Sequence, residues 1–193
     1  MIVLLASSNP GKVREICAIC EGSELEVVTS PHYIGEVETG STYLENARLK
    51  AASLVRLAQM PVLAEDAGLE VDGLDGRPGP RSARFAGPGA TDDGNNLKLA
   101  RLVAPLPEDA RTARYRAVAV LLLPTGQWWS GEATFEGRIV TEPRGDSGFG
   151  YDPYFVPGGM DRTAAELSTE EKNAISHRAG ALRALLHSVQ GSR

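Results

Sequence analysis

Short apolar runs alternate with stretches of helical periodicity through the first third of the chain, and this alternation limits the fold more than any other feature. Residues 2–6 and 61–64 are apolar runs typical of buried strands, and residues 25–29 are predicted to form another strand. Residues 42–60 carry apolar side chains every three or four positions, and residues 10–20 show a shorter pattern of the same kind. Strands that alternate with helices predict a mixed, twisted α/β sheet with flanking helices.

The second half of the sequence predicts a cluster of strands between two helices. Residues 115–123 and 131–140 are predicted strands, and the Pro-Thr-Gly turn at 124–126 favours an antiparallel pair. A helix is predicted over residues 91–103. A final helix is marked by an apolar stripe of Ala179, Leu182, Leu185, Leu186 and Val189.

Two segments rich in glycine are predicted to be loops, residues 68–89 and 145–157, and functional residues often lie in such loops. The first of them carries three arginines that could meet phosphate or carboxylates. The sequence shows no internal repeat, linker or low-complexity segment. Its 193 residues therefore predict a single domain, 1–193, built as two lobes.

Charge and hydropathy exclude two classes of protein. The formal net charge of −5 argues against a dedicated nucleic-acid binder, whose phosphate contacts need a basic face. The longest apolar run, residues 117–123, is far shorter than a membrane span. We therefore expect a soluble cytoplasmic protein. Cys17 and Cys20 lack a second pair of zinc ligands, and we interpret them as small core residues in a reducing compartment.

The turn at residues 7–12 joins the first predicted strand to the first helix. Asn9 is a candidate N-cap, with Pro10 at the first helical position. Free N–H groups at a helix start, together with Lys12, favour a phosphate chain. The turn is not a Walker loop, because Lys12 is followed by Val13 rather than Ser or Thr. The alternative is a capped helix with a solvated lysine.

Glu45 and Asp66 are candidate magnesium ligands. Asp66 is expected where a buried strand ends and a loop begins, a usual place for catalytic groups in α/β sheets. Glu65 and Asp66 should serve different roles, because successive strand residues point to opposite faces. Glu45 has an alternative role, since Thr42-x-x-Glu45 is a capping box that needs no ligand.

Two later segments carry further candidates. In residues 147–153 the glycines allow a close backbone approach, the aromatic residues offer stacking faces, and Asp152 can accept from a base N–H; a tight turn with aromatic packing is the alternative. Residues 172–178 bring Lys172, His177 and Arg178 together only if a helix begins near Ser176 and Lys172 lies in the loop before it. Two cationic residues in a helix's first turn oppose the dipole and indicate a nearby anion, whereas a solvated helix face is the alternative.

Taken together, these motifs resemble the inosine triphosphate pyrophosphatase family, which acts on non-canonical purine nucleoside triphosphates. The matching stretches span nearly the whole chain and are residues 6–12, 39–51, 63–74, 76–85, 148–153 and 172–178. The resemblance implies an elongated, two-lobed α/β fold with a central substrate cleft, and a homodimer. It also implies magnesium-dependent hydrolysis of ITP, dITP and XTP to the monophosphate and pyrophosphate.

The resemblance also implies roles for individual residues. Asp66 matches the catalytic acid, Glu45 the other magnesium-associated acid, and residues 7–12 the triphosphate-binding turn. From the chemistry of hydrolysis, we expect Lys12 to stabilise the charge that develops on the phosphate. The positions that match substrate contacts are Ser7, Ser8, Asn9, Pro10, Gly11, Lys12, Ala67, Phe149, Gly150, Tyr151, Asp152, Lys172, His177 and Arg178. Ala67 departs from the usual Ser or Thr, so a hydroxyl contact to substrate is lost, although its backbone N–H remains.

Two other functions compete with this one. A related pyrophosphatase for pyrimidine or other modified nucleotides would keep the two acids Glu45 and Asp66. It would lack the residues that match contacts to the purine base, 149–152 and the pair His177 and Arg178. A non-catalytic nucleotide sensor would bind through the same turn without hydrolysis, and Ala67 gives that alternative some weight.

Overall fold

The computed structural model describes residues 1–30, 33–35 and 38–191. Seven strands and five α-helices are found in these residues. The strands are β1 (Ile2–Ala6), β2 (Glu26–Thr29), β3 (Val62–Val71), β4 (Arg77–Pro78), β5 (Thr112–Leu122), β6 (Trp128–Ile139) and β7 (Phe155–Pro157). The helices are α1 (Pro10–Cys20), α2 (Tyr43–Ala58), α3 (Asp92–Val103), α4 (Thr169–Ile175) and α5 (His177–Gln190).

The strands form one mixed sheet in the order β2-β1-β3-β5-β6-β7, with β4 paired to β3. β1 pairs in parallel with β2 and with β3, as expected where a helix crosses between neighbouring strands. β3 pairs with β4, and β6 with β7, in antiparallel fashion. β5 and β6 are neighbours joined by a turn in which the Leu123 N–H donates to the Gln127 carbonyl. The predicted mixed α/β sheet is therefore confirmed.

The chain divides into two compact units. The first unit comprises Met1–Asp66, Ala117–Ala133 and Ser176–Arg193, and the second comprises Ala67–Arg116 and Thr134–Ile175. The core of the first unit is built from α2 and the strands beside it and includes Ala47, Leu54, Val62 and Val118. The core of the second unit includes Leu69, Leu99, Tyr115, Phe135 and Phe155.

Local chemistry places the helix starts where the sequence predicts them. The Asn9 side chain accepts from the backbone N–H groups of Gly11 and Lys12, and Pro10 is the first helical residue. Thr42 caps α2 through a complete capping box with Glu45. Thr91 caps α3 by accepting from the Gly94 N–H. Each cap satisfies N–H groups that have no partner within the helix.

The predicted end of the third strand is wrong. β3 continues through Asp66 to Val71, so Asp66 lies within a ten-residue strand rather than at its end. The acids at 65 and 66 interrupt the apolar run, but both are buried with charged or polar partners, so the strand does not have to end there. Much of the predicted loop at 68–89 is likewise ordered, as the end of β3, β4 and two short 3-10 turns. The predicted loop at 145–157 contains a 3-10 turn and β7.

The helical segment is interrupted at Ser176, between α4 and α5, so residues 172–178 do not form one continuous helix. Ser176 is the N-cap of α5, so His177 and Arg178 lie in its first turn. Lys172 lies in the short helix α4, not in a loop as predicted. Cys20 is buried as expected, whereas Cys17 is only half-buried, and neither is in a disulfide. None of the helices among the described residues is long and apolar enough to cross a membrane.

Candidate active site

The turn at residues 7–12 is a capped helix start with a charged side chain beside it. The Asn9 Oδ1 accepts from Gly11 N at 2.8 Å and from Lys12 N at 3.1 Å, while Ser7 Oγ accepts from Asn9 N at 3.3 Å. The turn exposes Ser8, Asn9 and Pro10. The cap occupies two of the N–H groups at the helix start, so an anion bound here would depend on Lys12 and the remaining groups.

A buried charge cluster surrounds Glu65 in the first unit. Glu65 lies 2.9 Å from Lys12 Nζ and 3.2 Å from Arg178 Nη2, and the other side of the Arg178 guanidinium pairs with Glu15. Burial opposes ionisation of Glu65, but the positive charges of Arg178 and Lys12 outweigh it and lower its pKa to about 2. Glu15 and Glu65 are thus the anions that the cationic first turn of α5 indicated.

Asp66 faces a different set of partners. Its Oδ1 lies 2.7 Å from Lys50 Nζ and its Oδ2 accepts from Asn46 Nδ2 at 3.2 Å, while Lys50 also contacts Glu38 at 2.7 Å. Asn46 and Lys50 lie one turn apart on α2, and so they share a face of that helix. Burial raises the pKa of Asp66, although Lys50 and Lys12 favour its charged form. The different partners of Glu65 and Asp66 agree with the prediction of separate roles.

Glu45 uses its carboxylate as a cap, which was the alternative role left open by the sequence. Its Oε2 accepts from Ser41 N at 2.7 Å, Ser41 Oγ at 2.8 Å and Thr42 N at 3.2 Å. The hydrogen bonds from Ser41 hold the pKa of Glu45 below its usual value. Glu45 is exposed and lines a cavity of about 660 Å³ in the first unit, beside Arg48 and Trp128. No group of three histidine, cysteine or acidic side chains is positioned for a metal ion in the part of the chain that the structure describes.

Asp152 is the centre of a second buried cluster, in the second unit. Its Oδ1 accepts from Tyr115 Oη at 3.2 Å, and its Oδ2 accepts from Phe149 N at 3.0 Å and pairs with Lys172. The Lys172 ammonium lies 5.3 Å from the centroid of the Phe149 ring. A side chain at Gly148, whose φ is +76°, would collide with Asp152 Oδ2, so this position requires glycine. Asp152 therefore holds Lys172 and residues 147–153, which we call the Phe149 loop, in place and is not an open acceptor.

The remaining predicted residues have simpler surroundings. Tyr151 is buried and donates to the Ser82 carbonyl at 2.7 Å, and burial raises its pKa. His177 is buried in the first turn of α5. Ala67 continues β3 directly after Asp66, where it is half-buried.

Several partners of the predicted residues were not predicted from the sequence. These are Glu15, Glu38, Asn46 and Lys50 in the first unit and Tyr115 in the second. One signal was present, because Asn46 and Lys50 are polar residues four apart beside the apolar positions of a helix. The others depend on pairings between distant segments, which residue spacing does not encode.

A family model described as the Ham1 family matches residues 3–188. This chain belongs to the Ham1 family. It is 45% identical over 189 residues to a dITP/XTP pyrophosphatase of Streptococcus thermophilus (strain CNRZ 1066). The matched region covers 96% of this chain and 58% of that protein. The chain thus spans little more than half the length of that streptococcal relative. The resemblance seen in the sequence is confirmed at the level of the family.

A shorter relative and a solved structure match nearly from end to end. A dITP/XTP pyrophosphatase of Geobacillus kaustophilus (strain HTA426) is 45% identical over 183 residues, which cover 93% of this chain and 90% of that one. The structure of a HAM1 protein from Coxiella burnetii is 36% identical, with a TM-score of 0.86 and complete coverage of both chains. This match confirms the α/β fold that the resemblance implied.

Proposed function

We propose that this Ham1-family chain hydrolyses non-canonical purine nucleoside triphosphates (ITP, dITP and XTP) to the monophosphate and pyrophosphate. The observation that carries the proposal is that two ion pairs in the first unit join lysines to the adjacent acids Glu65 and Asp66, Lys12 to Glu65 and Lys50 to Asp66. The printed names of the relatives, dITP/XTP pyrophosphatase, support the same substrates. Hydrolysis of a phosphoanhydride needs charge neutralisation and a positioned water rather than a covalent intermediate.

In the first unit, Asp66 would orient or deprotonate the attacking water, and Lys12 would stabilise the charge that develops on the phosphate oxygens. Lys50 and Asn46 each hold one oxygen of the Asp66 carboxylate, so that its direction is fixed before substrate binds. Glu65 holds Lys12 in the same way. Such fixed charges stabilise a transition state more effectively than mobile ones.

The donor chemistry of two acidic residues in the first unit suits magnesium. Asp66 and Glu45 offer carboxylate oxygens, and Mg²⁺ is usually held by one or two carboxylates together with substrate phosphates and waters. We infer that these two residues would hold it. Bound there, the ion would neutralise phosphate charge and polarise the phosphoryl group.

In the second unit, Phe149 and Lys172 are the residues that we assign to the base. The Phe149 ring offers a stacking face, and the neighbouring Lys172 ammonium is a donor that suits the 6-oxo group of hypoxanthine or xanthine. Adenine carries a 6-amino donor at this position instead. A mismatch that leaves buried polar groups unpaired discriminates by ~10⁴-fold or more in favourable cases.

The test is pyrophosphate release from ITP, XTP, dTTP, ATP and GTP, each with and without magnesium. We expect kcat/KM for ITP and XTP to exceed the value for ATP by orders of magnitude, and only with magnesium. The Lys172 contact does not separate ITP from GTP, because guanine carries the same 6-oxo group, so rejection of GTP requires a further contact that excludes the 2-amino group. Asp66→Asn should fold normally and lower kcat by roughly 100-fold or more. The matched control is Asp109→Asn, which removes the charge of an exposed residue in a 3-10 turn.

The same panel separates the competing functions. Preference for dTTP would favour a related pyrophosphatase of other nucleotides. Binding of ITP without turnover would favour a sensor, and activity retained in Asp66→Asn would remove Asp66 from its catalytic role.

We also propose that the enzyme acts in the cytoplasm as a homodimer. The resemblance in sequence implies the dimer, whose unfolding midpoint would rise with protein concentration. Cys17 and Cys20 are free, as is usual for proteins of a reducing compartment.

A further inference from the structure

Helix α3 holds one residue of the Phe149 loop, Gly150, through both its backbone N–H and its backbone carbonyl. The backbone N–H of Gly150 donates to Asp92 Oδ2 at 2.9 Å, and the Gly150 carbonyl accepts from Asn96 Nδ2 at 2.9 Å. Asp92 and Asn96 are four residues apart, and residues at this spacing lie on the same side of a helix, one turn apart. We call this arrangement the Gly150 clamp.

The clamped residue is one that cannot easily hold its own conformation. Gly150 has φ +62°, in the left-handed region, and the next glycine back, Gly148, has φ +76°. Two such glycines leave a chain unusually free, and fixing them costs conformational entropy. The hydrogen bonds from α3 supply a rigid anchor, because the helix is itself tied to the core by Leu99 and Val103.

The clamp lies next to the two groups that we assign to the base. Phe149 directly precedes Gly150, and its N–H donates to Asp152, which in turn pairs with Lys172. A change in the backbone at Gly150 would therefore move the Phe149 ring. It would also weaken the hydrogen bond from the Phe149 N–H to Asp152, the residue that holds Lys172.

The same helix also orders the neighbouring segment. The buried Asn95 donates to the Ala83 carbonyl at 3.2 Å and accepts from Ala86 N at 2.7 Å. That segment contacts the Phe149 loop through Tyr151, whose hydroxyl donates to the Ser82 carbonyl. Successive residues of one helix thus hold two segments that also contact each other.

We propose that Asp92 and Asn96 are positioning residues that set the Phe149 loop for recognition of the nucleotide base. The proposal rests on the proposed function for its substrate, but its physical claim concerns the loop alone. Neither residue needs to touch the nucleotide. Both act through the backbone of Gly150.

The variants are Asp92→Ala and Asn96→Ala, with Asp92→Asn as the conservative replacement. Asp93→Ala is the matched control, because Asp93 is an exposed acid in the same first turn of α3. Its loss removes the same kind of favourable interaction with the helix dipole as the loss of Asp92. We expect KM for ITP to rise about 10-fold in both alanine variants while kcat changes less than about twofold, and the preference for ITP over ATP to narrow. Asp92→Asn should recover much of the loss, because an amide oxygen can still accept from Gly150 N.

Hydrogen exchange of the peptide that contains residues 145–157 tests the clamp without any substrate. Faster exchange in Asp92→Ala and Asn96→Ala than in Asp93→Ala, together with the KM change, supports the proposal. If the exchange rates, or the KM values, of Asp92→Ala and Asn96→Ala equal those of Asp93→Ala, the proposal is overturned. If the wild-type protein hydrolyses none of the nucleotides, the proposed function fails, and the exchange rates alone decide whether the clamp holds the loop.

Discussion

At the scale of single residues, the most unusual feature of this protein is the number of charged side chains that are buried. Among the described residues, the charged side chains that are buried are Glu15, Lys50, Glu65, Asp66, Asp152, Lys172 and Arg178. Each of them has an oppositely charged partner within the same unit. Buried ion pairs rarely improve stability over apolar residues of similar size, because desolvation costs several kcal/mol per ion. Their clustering around the predicted site residues therefore favours a functional explanation.

The two cysteines should differ sharply in reactivity. Burial, with a smaller contribution from Cys17, raises the pKa of Cys20 to about 11, so only about 0.1% of it is thiolate at pH 8. Cys20 is also less exposed than the half-buried Cys17. In the native protein at pH 8, we expect iodoacetamide to label Cys20 at least about 10-fold more slowly than Cys17, as measured by peptide mass spectrometry. Labelling in urea, where both should react at similar rates, is the control, and equal native rates would contradict the prediction.

At the scale of elements, the start of α2 carries two functions that mutation can separate. Thr42 only caps the helix, whereas Glu45 completes the capping box and is also a proposed magnesium ligand. Thr42→Ala should lower the free energy of unfolding by about 1 kcal/mol, measured by urea denaturation, with the magnesium requirement unchanged. Glu45→Ala should also lower stability and, in addition, raise the magnesium concentration for half-maximal activity about 10-fold.

An equal change in magnesium requirement in both variants would mean that the helix start acts only through its structure. An unchanged requirement in Glu45→Ala would remove Glu45 from the metal site. The two measurements therefore decide between the alternatives that the capping-box motif left open.

Element starts were predictable from the sequence where the signal is local. The caps at Asn9, Thr42 and Thr91 act on N–H groups two or three residues away, and the structure has each helix starting there. The end of β3 was not predictable, because Glu65 and Asp66 are tolerated in a buried strand only through Lys12, Lys50 and other residues distant in sequence. The roles of Asp66 and Phe149 were implied by the resemblance to a family. Lys50, which pairs with Asp66, and Asp92, which accepts from the Gly150 N–H beside Phe149, came only from the structure.

At the scale of the whole molecule, the division of the chain does not follow the order of the sequence. Strands β3, β5 and β6 each contribute residues to both units, since the boundaries fall at Asp66, Arg116 and Ala133. Length and composition predict the number of domains, but they contain no information about boundaries inside strands. Such a division arises from contacts between distant segments, and only coordinates reveal it.

We propose that the chain nevertheless unfolds as one cooperative domain, because a strand that continues through a boundary cannot lose its structure on one side alone without disturbing the other. Both tryptophans, Trp128 and Trp129, belong to the first unit, so their fluorescence reports on that unit, whereas far-UV circular dichroism reports on both. In urea, the two signals should change at the same midpoint. For a dimer, that midpoint should rise between two protein concentrations about 50-fold apart. A fluorescence midpoint that differs from the circular dichroism midpoint would show that the two units unfold separately.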